Sequence, residues 1–153
     1  MTHYLAHLNI AKLRAPIDDP MIKEFKDGVD TINALAEESP GFIWRMKEDP
    51  IMPDGSTYVL MNDPSLIATL SVWETVAALK NFTYQNAHGS YFKRRKEWFH
   101  NMVEANYVLW YVKKDHQPSL AEAITRLKFL RNKGESSKAF TFKTAEQWMD
   151  VTS

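Results

Sequence analysis

The sequence predicts a single α+β domain built on an antiparallel sheet, and three observations support this prediction. Segments with the alternating side chains of strands and segments with helical periodicity follow each other in the order strand, helix, strand, strand, helix, strand. The 153 residues are enough to bury a core without a disulfide, and the sequence contains no cysteine. We find no internal repeat and no long linker. We therefore expect one domain over residues 1–153, with a helical extension at about 118–134 and a tail at 135–153.

The first predicted elements are a strand at residues 4–13 and a helix that follows it. Alternation along the strand separates two faces. The apolar face carries Tyr4, Ala6, Leu8 and Ile10, and the mixed face carries Leu5, His7, Asn9 and Ala11. Asp18 or Asp19 can cap the helix, whose first turn accepts Pro20. Its apolar residues recur at steps of three and four, at Ile22, Phe25, Val29, Ile32 and Ala36.

The central part of the chain predicts two further strands and a second helix. Residues 41–47 and 66–73 have strand patterns, and residues 57–61 suit a short additional strand. After Trp73, an apolar stripe predicts a helix at Val76, Leu79 and Phe82. A second stripe continues the helix at Tyr84, His88, Tyr91, Arg95, Trp98 and Met102.

The C-terminal part predicts a fourth strand and a last helix. Nearly every residue of 106–113 is large and apolar, which is typical of a strand that is covered on both faces. Ser119 and Glu122 form a capping box at the start of the helix, and Gly134 is suited to end it. The segment AFTFKTAEQW, residues 139–148, suits a short strand.

The composition excludes several classes of partner. Nineteen basic residues balance nineteen acidic ones, so no net charge draws the protein to nucleic acid or to an anionic membrane. The longest strongly apolar run is far shorter than the roughly 20 residues of a membrane helix. The first residues lack the pattern of a secretory signal. We therefore expect a cytoplasmic protein with neither a nucleic-acid nor a membrane partner.

The order of the elements is that of a ferredoxin-like unit, in which two helices cover one face of a four-stranded antiparallel sheet. We expect these helices to cover an apolar set of strand residues, namely Ala6, Leu8, Ile10, Leu70 and Val72. The opposite face then carries a mixture that suits neither solvent nor a dry core: His7, Asn9, Thr69, Ser71 and Trp73. A second copy across a two-fold axis would bury that face and leave a pocket, which predicts a homodimer.

Several runs of the sequence resemble a known superfamily: HLNIAK, PGFIWR, SVWETVAALKNF and AHGSYFKRRKEWF. They are similar to the dimeric α/β-barrel superfamily, which includes antibiotic-biosynthesis monooxygenases and haem-degrading monooxygenases. More narrowly, nearly the whole chain, with its PSLAEAITRLKFLRNKG and AFTF segments, resembles the family called domain of unknown function 3291. The resemblance implies the barrel fold, whereas the narrow family implies no particular reaction.

The haem-degrading relatives use an asparagine on the first strand, a tryptophan in the second helix and a histidine further along that helix. Asn9 matches the asparagine, and His88 matches the histidine approximately. The place of the catalytic tryptophan falls near Phe82, so one of the three functional positions differs. The resemblance therefore does not imply haem cleavage, and we predict no cofactor, with haem as an unfavoured alternative.

The candidate site residues are polar or aromatic. His88 can act as a base or contact a ligand, or it can be a core histidine that bonds a tyrosine hydroxyl. Asn9 can hold a substrate oxygen or form a structural hydrogen bond across the dimer. We assign the catalytic roles to His88 and Asn9. The residues assigned to substrate binding are His7, Trp44, Ser71, Trp73, Tyr84, Tyr91, Arg95 and Trp98. The tryptophans among them equally suit a core.

Three functional hypotheses follow from these assignments. The first is a homodimer that binds a small apolar or aromatic molecule bearing oxygen, as a monooxygenase-like or cofactor-free enzyme. In that enzyme His88 or His7 is the base and Asn9 holds the oxyanion. The alternative is a ligand-binding or stress-related module without chemistry, and the third is a haem protein. We expect no metal site, because His3 and His7 have no carboxylate close in sequence.

Overall fold

The computed structural model describes residues 3–15, 19–47, 61, 63, 65–87, 95–100, 102 and 104–149. These residues form an α+β structure with a five-stranded antiparallel sheet. The strands are β1 (His3–Leu13), β2 (Phe42–Arg45), β3 (Leu66–Trp73), β4 (Phe99–His100) and β5 (Tyr107–Lys113). The helices are α1 (Lys23–Glu38), α2 (Val76–Ala87), α3 (Arg95–Trp98) and α4 (Leu120–Lys133).

Strand β1 lies at the centre of the sheet and is paired along both edges. It pairs with β3 on one edge and with β5 and then β4 on the other, while β2 pairs with β3. The long strands therefore lie in the order β2-β3-β1-β5. The register places His7 opposite Ser71 on one side and opposite Leu109 on the other. The antiparallel sheet predicted from the sequence is confirmed.

Helices α1 and α2 lie on the same face of the sheet. Each connects two strands that are separated by one other strand, and right-handed crossovers of this kind bring both helices to one face. Accordingly, Ala36 of α1 and Leu79 of α2 pack in one cluster with Leu5 and Trp73. We call this side the helix face, defined by Leu5, His7, Asn9, Ser71 and Trp73.

Helix α4 covers the opposite side, which we call the extension face and define by Ala6, Leu8, Ile10, Leu70 and Val72. The buried residues of α4 pack against this face: Leu120, Ala123, Ile124, Leu127 and Leu130. The sequence-based expectation that α1 and α2 cover the extension face was wrong. Alternation divides the strand residues into two faces, but it does not state which helix covers which face.

The chain thus covers both faces of its own sheet. The homodimer was predicted because a helix-free face would carry His7, Asn9 and Ser71, but in the structure this face lies on the side of α1 and α2. The homodimer therefore stays a prediction without this support.

The Ser119 cap and the Gly134 end of α4 are as predicted, whereas the reciprocal half of the capping box is not formed within the described structure, because the Glu122 carboxylate bonds other residues. The Ser119 hydroxyl accepts a hydrogen bond from the backbone N–H of Glu122 at 3.1 Å. Gly134 adopts a φ of 77°, which only glycine adopts readily, and its N–H donates to the carbonyl of Leu130. The Glu122 carboxylate accepts hydrogen bonds from the Trp110 indole at 3.0 Å and from His116 at 2.6 Å. The contact with Trp110 therefore links α4 to β5, and the contact with His116 links it to the segment that follows β5.

The structure differs from the predicted elements after α2. The predicted helical stripe through Trp98 and Met102 is replaced by the short helix α3 and by β4. Phe99 and His100 pair with Leu13 and Lys12, so sheet pairing takes precedence over helical spacing there. Residues 139–142 form an isolated bridge between Phe140 and Leu109 instead of a strand. Most of the predicted strand at 57–61 lies outside the described residues.

We predict that Glu122→Ala lowers the free energy of unfolding by about 1–3 kcal/mol, because the buried Trp110 indole loses its acceptor. Glu122→Gln keeps an acceptor oxygen and is expected to cost less. Urea unfolding measures both, with Lys128→Ala, at an exposed position of the same helix, as the control. A loss for Glu122→Ala no larger than that for the control would contradict the prediction.

Candidate functional site

The helix face is apolar at both ends and polar in the middle. At one end Leu5 and Trp73 pack beneath α1 and α2. At the other end Leu13 packs with Ile22 and Trp98. Between them lies a group that we call the polar cluster, which consists of His7, Asn9, Thr69, Ser71 and Tyr107.

The sheet register brings the polar cluster together from three strands. His7 of β1 is paired with Ser71 of β3, and Asn9 is paired with Thr69 on one edge and with Tyr107 of β5 on the other. Directly opposed residues have Cβ atoms roughly 5 Å apart, so these side chains are neighbours. The rings of His7 and Tyr107 meet edge to face, with their centroids 6.0 Å apart.

The polar cluster has free hydrogen-bonding capacity and access to water. Thr69 is exposed and the other four members are half-buried. The side chains of His7 and Asn9 form no hydrogen bond with any residue that the structure describes. The Ser71 hydroxyl accepts from the Trp73 indole at 3.0 Å, and the Tyr107 hydroxyl accepts from the backbone N–H of Phe142 at 3.2 Å. Both hydroxyls keep a proton that they can donate.

His7 is uncharged at neutral pH. Burial lowers the pKa of its imidazole from 6.5 to about 4, because the charged form loses its hydration. A neutral imidazole offers one donor and one acceptor nitrogen. At pH 7 the polar cluster therefore presents hydrogen-bonding groups without an ionised side chain among its five members.

Aromatic side chains border the polar cluster at two places. Next to Ser71, the Trp73 ring stacks on Phe82 of α2 at 5.2 Å and meets Phe42 edge to face at 5.4 Å. On the β5 side, the Tyr107 ring contacts Phe142 at 5.6 Å. The arrangement combines apolar walls with a few polar groups, which is typical of sites for small organic molecules.

The structure brings together four of the residues that the sequence proposed for a site, namely His7, Asn9, Ser71 and Trp73. The other proposed residues that can be placed lie elsewhere. Trp44 packs against the extension face, and Trp98 is buried in the cluster at the Leu13 end.

Four proposed residues of the second predicted helix remain. Tyr84 is 68% exposed on α2, away from the core clusters. His88 and Tyr91 lie outside the described residues, as does the side chain of Arg95.

Sequence reasoning missed Tyr107 and Phe142 as members of this region. Tyr107 begins a strand in which almost every residue is large and apolar, so no alternation separates its two faces. Only the pairing of Tyr107 with Asn9 shows which face it shares. Phe142 lies in the tail, whose position no local pattern predicts.

A concave region of about 460 Å³ lies between the end of β5 and the start of α4. It is lined by His116, Glu122 and Arg126, among others. Glu122 bonds His116 and Trp110, and Arg126 donates to the carbonyl of Lys138 at 2.9 Å. Because the fold already uses these polar groups, this region is a weaker candidate for ligand binding than the polar cluster.

Among the described residues, no group of three or more metal-binding side chains comes together. None of the helices in the described ranges has the length and apolar character needed to cross a membrane.

The fold and the polar cluster define a small α+β domain with a candidate ligand site on one face of its sheet. The chain belongs to the family described as domain of unknown function (DUF3291), whose model matches residues 4–152. The narrower resemblance inferred from the sequence is confirmed. Among solved structures, the chain is similar to the crystal structure of PA3566 from Pseudomonas aeruginosa, with a sequence identity of 12% and a TM-score of 0.45. The match covers 76% of this chain and 98% of that chain. No curated protein matches the chain.

We predict that His7 makes the protein less stable in mild acid. The unfolded chain protonates this imidazole near its ordinary pKa of 6.5, whereas the folded chain does so at about 4. Between these values the unfolded state binds more protons, so stability falls as the pH falls, by about 2–3 kcal/mol near pH 4.5. His7→Gln cannot be protonated and lacks this contribution. Urea unfolding of both proteins at pH 7 and near pH 4.5 measures the difference.

Equal loss of stability in the wild type and in His7→Gln would contradict the low pKa of His7. Carboxyl groups that titrate in the same range are common to both proteins, so their contribution cancels in the comparison.

Proposed function

We propose that the protein binds a small, neutral, apolar or aromatic molecule that bears a hydroxyl or carbonyl oxygen, with that oxygen on the polar cluster. The observation that supports this most is the unused hydrogen-bonding capacity of His7 and Asn9 on a surface bordered by aromatic rings. A core that served stability alone would pair these groups or replace them with apolar ones. Here they stay half-buried and unpaired within the described structure.

The energetics of the polar cluster favour a neutral ligand group. Each hydrogen bond to His7 or Asn9 is worth about 0.5–1.5 kcal/mol net. An aromatic ligand adds contact with rings such as Phe82 and Phe142. A carboxylate would lose its hydration beside five members that carry no positive charge at neutral pH.

Binding without turnover fits His7 better than base catalysis does. A general base works best when its pKa lies near the working pH, and that of His7 is about 4. Taking a proton from a phenol, whose pKa is about 10, would cost about 8 kcal/mol. The monooxygenase-like or cofactor-free version of the proposal therefore assigns the base to His88 and the oxyanion contact to Asn9.

We also propose that the domain is ferredoxin-like. The strand order β2-β3-β1-β5 and the two helices on one face support this. In a dimeric barrel formed with a second copy, the face without α1 and α2 would turn inward. That face carries α4 in this chain, so a barrel dimer would have to accommodate this helix.

Para-ethylphenol is a suitable first probe of the proposed site, because it combines one hydroxyl with an apolar ring. We predict saturable binding by the wild type, measured by isothermal titration calorimetry. Asn9→Leu removes the amide at similar side-chain volume and is expected to weaken binding about tenfold, which corresponds to one hydrogen bond of about 1.4 kcal/mol. Tyr84→Ala, at an exposed position of α2, serves as the control and should bind like the wild type.

The proposal fails if the wild type shows no saturable binding. It also fails if Asn9→Leu and Tyr84→Ala bind the probe equally well.

We propose that the protein does not bind haem. Near the place where the haem-degrading relatives have a tryptophan, this chain has Phe82, which stacks on Trp73 and has no hydrogen-bond donor. We predict that added haem gives no stoichiometric change in the Soret band that depends on His88. Titration of the wild type and of His88→Ala with haem tests this. A tight one-to-one spectrum that is lost in His88→Ala would show the prediction to be wrong.

A further inference from the structure

The tail at residues 139–149 runs beside β5 and is attached to it by backbone and hydroxyl groups. Phe140 and Leu109 exchange two backbone hydrogen bonds, of 2.8 and 2.9 Å. Further along, the Tyr111 hydroxyl donates to the carbonyl of Ala145 at 3.0 Å. These contacts fix the tail next to the helix face, where Phe140 and Ala145 join the core cluster.

The carboxylate of Glu135, at the start of the tail, supplies a further attachment. One oxygen of Glu135 accepts three hydrogen bonds, from the N–H of Thr141 at 2.9 Å and from the hydroxyls of Thr141 and Thr144 at 2.7 Å each. None of these hydrogen bonds involves the ring of Phe142, so they remain when the ring is removed.

The Phe142 ring nevertheless has a defined place at the border of the polar cluster. It contacts Tyr107 at 5.6 Å, and Tyr107 in turn contacts His7 at 6.0 Å. The ring is half-buried, and the ammonium of Lys80 from α2 lies 5.8 Å from its centroid. Phe142 is therefore positioned between the polar cluster and the outer surface.

We propose that Phe142 determines which ligands the site accepts, an inference that rests on the proposed function. The ligand class is a planar ring with a hydroxyl or carbonyl at one end, bound to the polar cluster, and a short apolar substituent at the other end. Phe142 limits the length of that substituent, because its ring closes the border next to Tyr107.

The physical basis is the balance between buried methylene groups and steric overlap. Each methylene that a ligand buries improves affinity about fourfold. Affinity should therefore rise with chain length until the substituent meets the Phe142 ring, and then fall, since overpacking is unfavourable. Removing the ring moves that limit outward, while the attachments of the tail remain.

The test uses para-alkylphenols with ethyl, butyl and hexyl chains, and compares the wild type with Phe142→Ala by calorimetry. We expect the wild type to bind the ethyl or butyl compound most tightly and to reject the hexyl compound. In Phe142→Ala the optimum should shift to the hexyl compound, with a gain of about tenfold or more for that probe. Phe142→Leu should give an intermediate order, and it replaces the alanine variant if thermal unfolding shows that the latter does not fold.

Phe129 provides a matched control, because it is also half-buried and the ammonium of Lys138 lies 5.7 Å from the centroid of its ring. Unlike Phe142, it packs against the extension face. Phe129→Ala should keep the wild-type order of affinities. An unchanged order in both Phe142 variants, with binding that still depends on Asn9, overturns the role of Phe142 and leaves the proposed site standing. No binding of any probe to the wild type overturns both proposals.

Discussion

Strand β1 is hydrogen-bonded along both edges, and this constraint determines the rest of the architecture. Its side chains alternate between two faces, so every second residue must suit the cover on its own side. On the extension face the requirement is met by Ala6, Leu8 and Ile10, which are fully buried under α4. On the helix face it is met only at the two ends, by Leu5 and Leu13. A one-residue shift of register would move every side chain of β1 to the opposite face. Burial of Ala6, Leu8 and Ile10 under α4 therefore also holds His7 and Asn9 on the helix face.

The polar middle of the helix face is unfavourable for stability alone. A buried polar group without a partner costs about 1–3 kcal/mol, whereas an apolar replacement of similar shape is close to neutral. His7 reduces part of this cost by remaining uncharged, since its pKa is held at about 4. Water reaching the half-buried side chains offsets more of it. A ligand that replaces this water with its own oxygen would gain hydrogen bonds without forcing the sheet to rearrange.

Much of the fold could be predicted from the sequence because its causes are local. Alternation in β1 defined the two faces, and the cap at Ser119 and the glycine at 134 fixed both ends of α4. Four residues of the candidate site could be found, His7, Asn9, Ser71 and Trp73, because alternation places them on one face of β1 and β3. Tyr107 could not, because strand register depends on long-range pairing. Helices α1 and α2 were also assigned to the wrong face of the sheet. Which face a helix covers depends on the handedness of the crossovers and on where the chain returns to the sheet, and no local pattern shows either.

If the polar middle of the helix face binds the ligand, a para-ethylphenol titration followed by NMR will change the amide chemical shifts of that face. We expect saturating changes at His7 and Asn9 of β1, at Ser71 of β3 and at Tyr107 of β5. Changes confined to the region of His116, or no saturating change anywhere, would mean that the ligand does not bind at the polar cluster.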